Sequence, residues 1–401
     1  MKILVITQYF WPESFRINDI VLGLKERGHE ITVLTGKPNY PGGHFYQNYS
    51  FWKNSYELWN DIPIFRVPII ARGNGSGIKL FLNYLSFAIS SSIKSLFITK
   101  DFDSVFVYQP SPITVGIPAV ILKLIWGKNY HFWVQDLWPA SLTAAAGVSN
   151  KFVLNVLNWL TKLIYRHSKS VLVQSIAFKP YIINQGISPY KIIYLPNSTE
   201  SFVELSSTNR LEEFNLPKGF NLMFTGNIGS AQSFDTLLGA AKIVQSRGLL
   251  VNWIILGEGR MKSYVEAKIK TLELENSFFL LGSYPVSDMP AFYANADALL
   301  LSLKKDEIFS LTIPSKLQSY FAFGKPVIAS IDGECARIVL EAGAGFVSAA
   351  EDPIALANQV EKASISSLDN LNEMALNAKK YFIKEFEREA LLNRLEDILI
   401  V

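Results

Sequence analysis

The sequence has little of what disulfide frameworks and metal centres require. Its 401 residues contain one cysteine, Cys335, and four histidines that do not pair at metal-ligand spacing. A single thiol excludes a disulfide framework, and it is typical of a small buried side chain in a reducing compartment. We therefore expect a cytoplasmic protein with no catalytic metal and no cofactor.

Long uninterrupted apolar runs are also missing. The apolar stretches 78–98 and 113–126 are broken by lysines and a proline, so neither is typical of a transmembrane helix. The first residues carry no small-residue cleavage site and indicate a first strand, not a signal peptide. No G-x-G-x-x-G follows the first strand of either half, which disfavours a dehydrogenase, and we assign no nucleic-acid partner.

Acidic residues are distributed unevenly along the chain. Residues 1–205 carry 19 Lys and Arg against 11 Asp and Glu, whereas residues 206–401 are net acidic. From Leu137 to Thr199 there is no Asp or Glu at all. We infer that the two halves face different partners.

Short apolar runs alternate with helical patterns in both halves. This order predicts the α/β class with parallel sheets, and the length predicts two domains. We place an N-terminal domain at 1–205, a C-terminal domain at 206–374 and a helical segment at 375–401 that packs back on the first domain. The predicted strands are Lys2–Thr7, Ile31–Thr35, Ser104–Gln109, His131–Asp136, Ser170–Gln174, Lys191–Leu195, Asn221–Thr225, Leu250–Leu256, Phe278–Leu281, Ala298–Leu303 and Pro326–Ser330.

Three strand-to-helix turns in the second half have phosphate-binding features. Residues 226–229 (GNIG) and 257–260 (GEGR) follow strands, and amides at a helix N-terminus bind phosphate. Pro314-Ser315 predicts a helix start with Lys316 in its first turn, where a cation is unfavourable unless an anion is bound. Each turn alone also fits ordinary loop chemistry, and Arg260 also fits a solvated charge.

In the first half, side chains that follow predicted strands are candidates for a second ligand. Asp136 ends a strand and precedes Trp138, so its carboxylate either faces a ligand at that sheet edge or caps a helix. Glu13 and Arg16 follow the first strand and either contact a substrate or are solvated. Asp101-Phe102-Asp103 has the form of a D-x-D metal motif, but it precedes a strand and fits a turn.

The segment 151–167 is strongly amphipathic. Phe152, Val156, Leu160 and Ile164 share one predicted helical face, while aromatic residues and cations flank it. Such a helix either lies on a membrane or covers a core with a basic outer surface.

Several segments, taken in order, resemble the retaining glycosyltransferases of family four. They include WVQDLWPASL, LMFTGNIGSAQSFDTLLGAA, ILGEGR and PSKLQSYFAFGKPVIAS, and the resemblance spans nearly the whole chain. It implies the GT-B fold, in which two Rossmann-like domains have parallel sheets that face each other across a cleft. The last segment and DGECARIVLEAGAGFV resemble the branch that builds bacterial O-antigen and capsule and includes L-fucosamine transferases.

The resemblance also implies the substrates. The donor would be a nucleotide-diphosphate sugar, UDP-linked and carrying an N-acetylated 6-deoxyhexosamine such as N-acetyl-L-fucosamine. The acceptor would be a polyprenyl-diphosphate-linked saccharide, reached by peripheral association with the inner face of the cytoplasmic membrane. Transfer would proceed with retention of anomeric configuration.

This sequence departs from the family pattern at charged positions. The usual pair of glutamates falls at Leu311 and Ser319, a common diphosphate-contacting arginine at Ser230, and a glutamate after Trp138-Pro139 at Ala140. By position and charge, the substitutes are Lys316, Arg260 and Glu334.

Each substrate thus has a set of candidate residues. Asp136 and Lys316 are the expected catalytic residues, and Glu13, Arg16 and Trp138 are expected on the acceptor side. The expected donor-binding residues are Gly226, Asn227, Gly229, Gln232, Gly257, Gly259, Arg260, Ser315, Lys316 and Glu334.

Two other functions are compatible with the sequence. A nucleotide-sugar epimerase has the same two-domain architecture but needs no acceptor surface. A non-catalytic membrane-associated scaffold would account for the missing glutamates.

Overall fold

The computed structural model describes residues 1–98, 100–146, 148–199 and 210–400. Two compact units are formed: Met1–Pro196 with Leu392–Val401, and Asn197–Leu391. The predicted domain boundary at 205/206 lies outside the described residues.

Within the described residues, the first unit contains an eight-stranded sheet in the order β3-β4-β2-β1-β5-β6-β7-β8. All neighbouring strands are parallel except β3 and β4. The buried strands are apolar on both faces, as expected for a sheet covered on both sides. The strands are β1 Lys2–Ile6, β2 Glu30–Gly36, β3 Tyr56–Trp59, β4 Ile62–Val67, β5 Ser104–Gln109, β6 Tyr130–Val134, β7 Ser170–Val173 and β8 Ile192–Tyr194.

Helices connect these strands. They are α1 Arg16–Glu26, α2 Gly77–Ser95, α3 Ile117–Trp126, α4 Ala140–Ala146, α5 Lys151–His167 and α6 Phe178–Asn184. The face predicted for α5 is divided, because Phe152 and Val156 are exposed whereas Ile164 is buried. Helix α5 therefore covers the core with its C-terminal half and exposes apolar side chains along its N-terminal half.

Within the described residues, the second unit contains a six-stranded parallel sheet in the order β11-β10-β9-β12-β13-β14. Side chains of β9 alternate between two cores: Met223 packs on one face, and Leu222 and Phe224 on the other. The strands are β9 Phe220–Thr225, β10 Val251–Leu256, β11 Phe278–Gly282, β12 Ala298–Ser302, β13 Val327–Ser330 and β14 Gly345–Ser348.

Helices lie on both faces of this second sheet. They are α7 Phe234–Ser246, α8 Lys262–Thr271, α9 Met289–Ala294, α10 Glu307–Leu311, α11 Ser315–Phe323, α12 Glu334–Glu341, α13 Pro353–Ser364 and α14 Leu368–Glu385. The last helix, α15 Arg388–Ile400, belongs to the first unit from Leu392 onward. Within the first unit, the carboxylate of Glu396 pairs with Arg27 (2.8 Å) and His29 (2.8 Å). In the part of the chain that is described, no helix is long and apolar enough to cross a membrane.

The eleven predicted strands are confirmed with small shifts at their ends, and β3, β4 and β14 were missed. Strands β3 and β4 form a hairpin closed by Asn60 and Asp61, both at positive φ (47° and 56°). Asn and Asp tolerate this conformation, so the Asn-Asp pair was an available turn signal. Strand β14, with the sequence GFVS, is too short to produce a clear alternation.

Candidate functional site

A cavity of about 510 Å³ lies in the second unit, at the carboxyl ends of β9, β10 and β11 and beside the start of α11. Open parallel sheets bind ligands at this edge. The polar groups at its wall come from residues far apart in sequence. They include Thr225, Asn227, Glu258, Tyr293, Ser315 and Lys316.

Glycines allow the turns after β9 and β10 to pack directly against each other. A Cβ atom on Gly257 would lie 1.8 Å from the carbonyl oxygen of Gly226, and one on Gly259 would lie 2.2 Å from that of Ile228. The amide of Gly226 also donates to the carbonyl of Leu256 (2.8 Å), which extends the strand pairing into the turn. These glycines are therefore required by backbone packing.

The same packing corrects the expected phosphate cradle. The amide of Ile228 donates to the carbonyl of Glu258 (2.8 Å), and that of Gly229 donates to the Gln232 side-chain oxygen (3.2 Å). With Gly226 also bonded internally, Asn227 carries the one amide of this turn that has no acceptor among the described residues. The turn shapes the cavity more than it supplies donors to it.

Lys316 is the principal charged group of the cavity. It lies in the first turn of α11, which begins after Pro314, and its Nζ is 3.7 Å from the centroid of the Phe224 ring. A Cβ atom on Gly226 would lie 2.6 Å from Lys316 Cε, so the absent side chain at 226 makes room for the lysine. Burial lowers the pKa of Lys316 to about 7. Among the described residues, its ammonium has no hydrogen-bond acceptor, so the site has positive charge to offer an anion.

Hydroxyl groups fix the strand end beside Lys316. The Thr225 hydroxyl lies 3.0 Å from the Tyr293 hydroxyl, and the Thr225 amide donates to the Tyr320 hydroxyl (3.1 Å). Tyr320 in turn donates to the carbonyl of Leu300 (3.3 Å). This buried network links β9, β12, α9 and α11. Sequence reasoning missed Thr225 and Tyr293, because their meeting depends on the tertiary fold.

The other expected donor-binding residues occupy different surroundings. Gly226, Asn227, Gly257, Ser315 and Lys316 line the cavity. Ser319, which stands at a usual family glutamate, also lines it. The residues Gly229, Gln232, Gly259, Arg260 and Glu334 are not among its lining residues.

Arg260 and Glu334 illustrate two reasons for that outcome. Arg260 is exposed on the turn after β10. Glu334 is buried at the start of α12, and its carboxylate accepts hydrogen bonds from Arg337 Nε (3.0 Å) and NH2 (2.8 Å). A bidentate pair of this kind already neutralises the carboxylate.

In the first unit, Asp136, Arg16 and Tyr108 lie near one another at the carboxyl edge of the sheet. Burial raises the pKa of Asp136 to about 6. Burial also raises the pKa of the Tyr108 phenol, with Arg16 opposing and Asp136 reinforcing that shift. A half-buried carboxylate with a raised pKa at the carboxyl edge of a parallel sheet is a candidate site for a polar ligand.

Glu13 corrects the expectation of a substrate-contacting or solvated carboxylate. Only 1% of it is exposed, and its oxygens accept from the backbone amides of Phe10 (3.3 Å), Asn39 (2.8 Å) and Tyr40 (2.7 Å). Burial nevertheless raises its pKa to about 7. Glu13 thus holds the loop after β2 in place.

Trp138 is also buried and contacts Tyr84 edge to face at 6.4 Å between ring centroids. The described residues contain no group of three or more His, Cys, Asp or Glu side chains arranged to hold a metal. Asp101 pairs with Lys2, and Asp103 accepts a hydrogen bond from the Lys2 amide (2.7 Å).

Both halves of the chain match models of glycosyltransferase families. Residues 208–381 match "Glycosyl transferases group 1", and residues 14–198 match "Glycosyl transferase 4-like domain". Together with the two parallel-sheet units, these matches define the class of protein. The chain is a group 1 glycosyltransferase with the GT-B fold.

Individual relatives agree with this assignment. The chain is 25% identical over 346 residues to WcaI of Escherichia coli K12, a glycosyl transferase assigned to colanic acid biosynthesis, covering 81% of this chain and 82% of WcaI. It is also 25% identical to WbjE of Pseudomonas aeruginosa, a protein assigned as a glycosyltransferase, over 66% of each chain.

Solved structures share the fold at low sequence identity. Sucrose-phosphate synthase of Thermosynechococcus elongatus superposes with a TM-score of 0.77 at 15% identity, covering 99% of this chain and 98% of the synthase. HepE of Anabaena, crystallised with UDP, gives a TM-score of 0.72 at 16% identity, covering 100% and 99%.

Proposed function

We propose that this glycosyltransferase moves a sugar from a UDP-sugar to a polyprenyl-diphosphate-linked saccharide during bacterial polysaccharide assembly. The choice of nucleotide is supported by HepE, which has been crystallised with UDP and with UDP-glucose. The pathway class is supported by WcaI and its assignment to colanic acid biosynthesis.

The observation that carries the donor proposal is Lys316. Its ammonium is desolvated at a cavity wall and contacts the Phe224 ring, and an anion there would restore the charged state that burial disfavours. Its place in the first turn of α11 adds the positive end of the helix dipole. A diphosphate supplies the negative charge that both features lack.

In the proposed reaction, the bond between the anomeric carbon and the diphosphate oxygen breaks, and the diphosphate leaves with the electron pair. The acceptor hydroxyl bonds to the anomeric carbon from the same face and passes its proton to an oxygen of the departing diphosphate. Lys316 and the α11 dipole stabilise the charge that develops on the leaving group, which is where electrostatic catalysis acts. The Asn227 amide and the Ser315 hydroxyl are the neighbouring donors.

On the acceptor side, we propose that Asp136 and Arg16 contact the saccharide or its diphosphate. The pKa of about 6 at Asp136 leaves the carboxylate mostly ionised near neutral pH, able to orient a hydroxyl or stabilise positive charge on the sugar ring. Glu13, which holds the loop after β2, and Trp138, which packs against Tyr84, are proposed to shape this surface. Retention and an N-acetyl-L-fucosamine donor rest on the family resemblance alone, and the resemblance also supports association with the inner face of the membrane.

Calorimetry with UDP tests the donor proposal. A bound diphosphate should raise the pKa of Lys316, so at about pH 8 binding should take up a proton, seen as a heat that varies with the ionisation enthalpy of the buffer. UDP binding without proton uptake would contradict the role of Lys316. A panel of GDP- and dTDP-sugars in the same assay tests the choice of nucleotide.

A transfer assay tests the reaction. A radiolabelled UDP-sugar should give a labelled lipid-linked product only when the acceptor is present. Conversion of the UDP-sugar without any acceptor would instead identify an epimerase.

A further inference from the structure

Helix α2 has an inverted burial pattern. Its buried side carries Asn83, Ser91, Ser92 and Ser95 together with Phe87 and Ala88. Its exposed side carries large apolar residues at helical spacing, and the exposed fraction is 62% for Phe81 and 52% for Ile89. The other members of this exposed stripe are Ile78, Leu82, Leu85 and Ile93. A helix on a water-exposed surface has the opposite arrangement.

Asn83, on the polar side of α2, is hydrogen-bonded to other elements of the unit, which fixes the orientation of the helix. Asn83 donates to the carbonyl of Ile70 (2.6 Å) and accepts from the Gln8 side-chain amide (2.7 Å). The hydroxyls of Ser91 and Ser95 donate to carbonyls of the preceding turn at 2.6 and 2.8 Å. Rolling the helix to bury its apolar stripe would break the hydrogen bonds of Asn83 to Gln8 and Ile70, which are costly to leave unmade, whereas the serine bonds stay within the helix.

The helices next to α2 carry the apolar surface further. Helix α3 packs against both α2 and α5. It ends in exposed Leu124 and Ile125, and the first half of α5 exposes Phe152 and Trp159. We call the α2 stripe, the end of α3 and the start of α5 the apolar helical face. Contiguous exposed apolar surface of this kind marks an interaction site.

The charge around this face indicates what covers it. Between Ile62 and Lys100 the sequence has no Asp or Glu, and the same is true from Leu137 to Thr199. The lysines of these helices are Lys79, Lys94, Lys123, Lys151 and Lys162. A second copy would bring lysines opposite lysines without carboxylates to pair them, whereas anionic lipid headgroups complement them.

We propose that the apolar helical face seats the enzyme on an anionic lipid bilayer, with the α2 stripe inserted at the level of the headgroups. Lysine side chains reach from the rim of the face to lipid phosphates while their stems cover apolar surface. The proposal deepens the proposed function and shares with it only the lipid nature of the acceptor.

Vesicle co-sedimentation of the full chain, without donor or acceptor, tests this face. The wild type should bind phosphatidylcholine vesicles that contain phosphatidylglycerol and bind pure phosphatidylcholine much more weakly. The double variant Phe81→Gln, Ile89→Gln should bind roughly tenfold less or weaker still, because two side chains lose their apolar contact with lipid. The matched control is Leu340→Gln with Leu368→Gln, which removes two exposed apolar side chains of the second unit and should bind like the wild type.

Unchanged vesicle binding by a Phe81, Ile89 variant that melts at the wild-type temperature would overturn the proposal. The proposal would also be overturned if the wild type forms a dimer that does not bind vesicles and the double variant is a monomer. Hydrogen exchange on the wild type gives a test that needs no variant: vesicles should slow exchange in residues 77–95, and no protection there would also refute it. Failure of sugar transfer alone leaves these readouts unaffected.

Discussion

The carboxyl edges of the two sheets each contain a desolvated lysine, but the two lysines differ in their hydrogen-bond partners. Lys37 follows β2, and its ammonium donates to the carbonyl of Lys53 and to the Ser55 hydroxyl (3.2 Å). Burial, reinforced by Arg66, lowers its pKa to about 8. Lys316 lies at the start of α11 against the Phe224 ring, and burial lowers its pKa to about 7.

The difference shows that burial of a charge does not by itself identify a functional group. At the first edge the Lys53 carbonyl and the Ser55 hydroxyl accept hydrogen bonds from the ammonium, and Glu57, which pairs with Arg66, lies nearby. At the second edge the described residues provide no such acceptor. An incomplete electrostatic environment beside a cavity is the more specific sign of a missing ligand.

The largest expected effect comes from Lys316→Met, which keeps the volume and removes the charge. Transfer should fall about 10²- to 10³-fold in kcat/KM, because the developing charge on the diphosphate loses its cation. The melting temperature should be unchanged or higher, because an uncompensated buried charge is removed. Steady-state kinetics and thermal unfolding measure both. Lys305→Met, at an exposed lysine, is the control, and near-normal turnover by the Lys316 variant would contradict the mechanism.

The matching substitution Lys37→Met should have the reverse profile. It leaves the carbonyl of Lys53 and the Ser55 hydroxyl without their donor, so unfolding should cost about 2 kcal/mol less. UDP binding should be preserved. Urea denaturation measures the stability, and calorimetry measures UDP binding. A Lys37 variant with wild-type stability that no longer binds UDP would contradict the difference between the two edges.

Gly226→Ala should have a smaller effect than the lysine substitutions, because it displaces Lys316 without removing its charge. The new Cβ would collide with Lys316 Cε, and the backbone at residue 226 has φ 125°, which side chains rarely adopt. A loss of about 1 kcal/mol in stability and weaker UDP binding are therefore expected. Gly28→Ala controls for backbone strain, because Gly28 has φ 86° and no atom within 4 Å of the added Cβ. Equal UDP affinity in the two variants would mean that the space at 226 does not matter to the lysine.

The remaining prediction is a pH dependence at Glu13. The pKa of Glu13 rises to about 7 in the folded state, so folding favours its protonated form. Its contribution to stability is present at low pH and is lost as pH rises through about 7. Relative to Glu13→Gln, the wild type should lose unfolding free energy between pH 4.5 and 7, measured by urea titration at each pH. A difference that stays constant over this range would show that the pKa is not raised.

Much of the fold and part of the site could be predicted from the sequence. Buried strands are short apolar runs, and glycines or a proline mark the turns after them, so β9, β10 and the start of α11 were located correctly. These are local signals. The placing of Gly226, Gly257 and Lys316 around one cavity follows from them, because parallel strands end at the same edge.

Other features depended on contacts between distant segments. The amides of the Gly226 turn were expected to face a phosphate, yet the next strand's turn supplies their acceptors at Leu256 and Glu258. Glu13 was expected to contact a substrate or to be solvated, but the loop after β2 covers it. Glu334 was expected at the donor, and Arg337, one helical turn away, binds its carboxylate.

The sequence by itself determined the α/β class, the order of strands and helices and the presence of a lysine at a helix start beside a glycine turn. Apolar periodicity and turn chemistry are encoded within a few residues, so they can be recognised in the sequence alone. The tertiary structure decided which buried ammonium groups have hydrogen-bond acceptors, as Lys37 does, and which have none among the described residues, as Lys316. It also decided that α2 buries its serines and exposes Phe81 and Ile89. Periodicity defines two faces of a helix, but only packing determines which of them is covered.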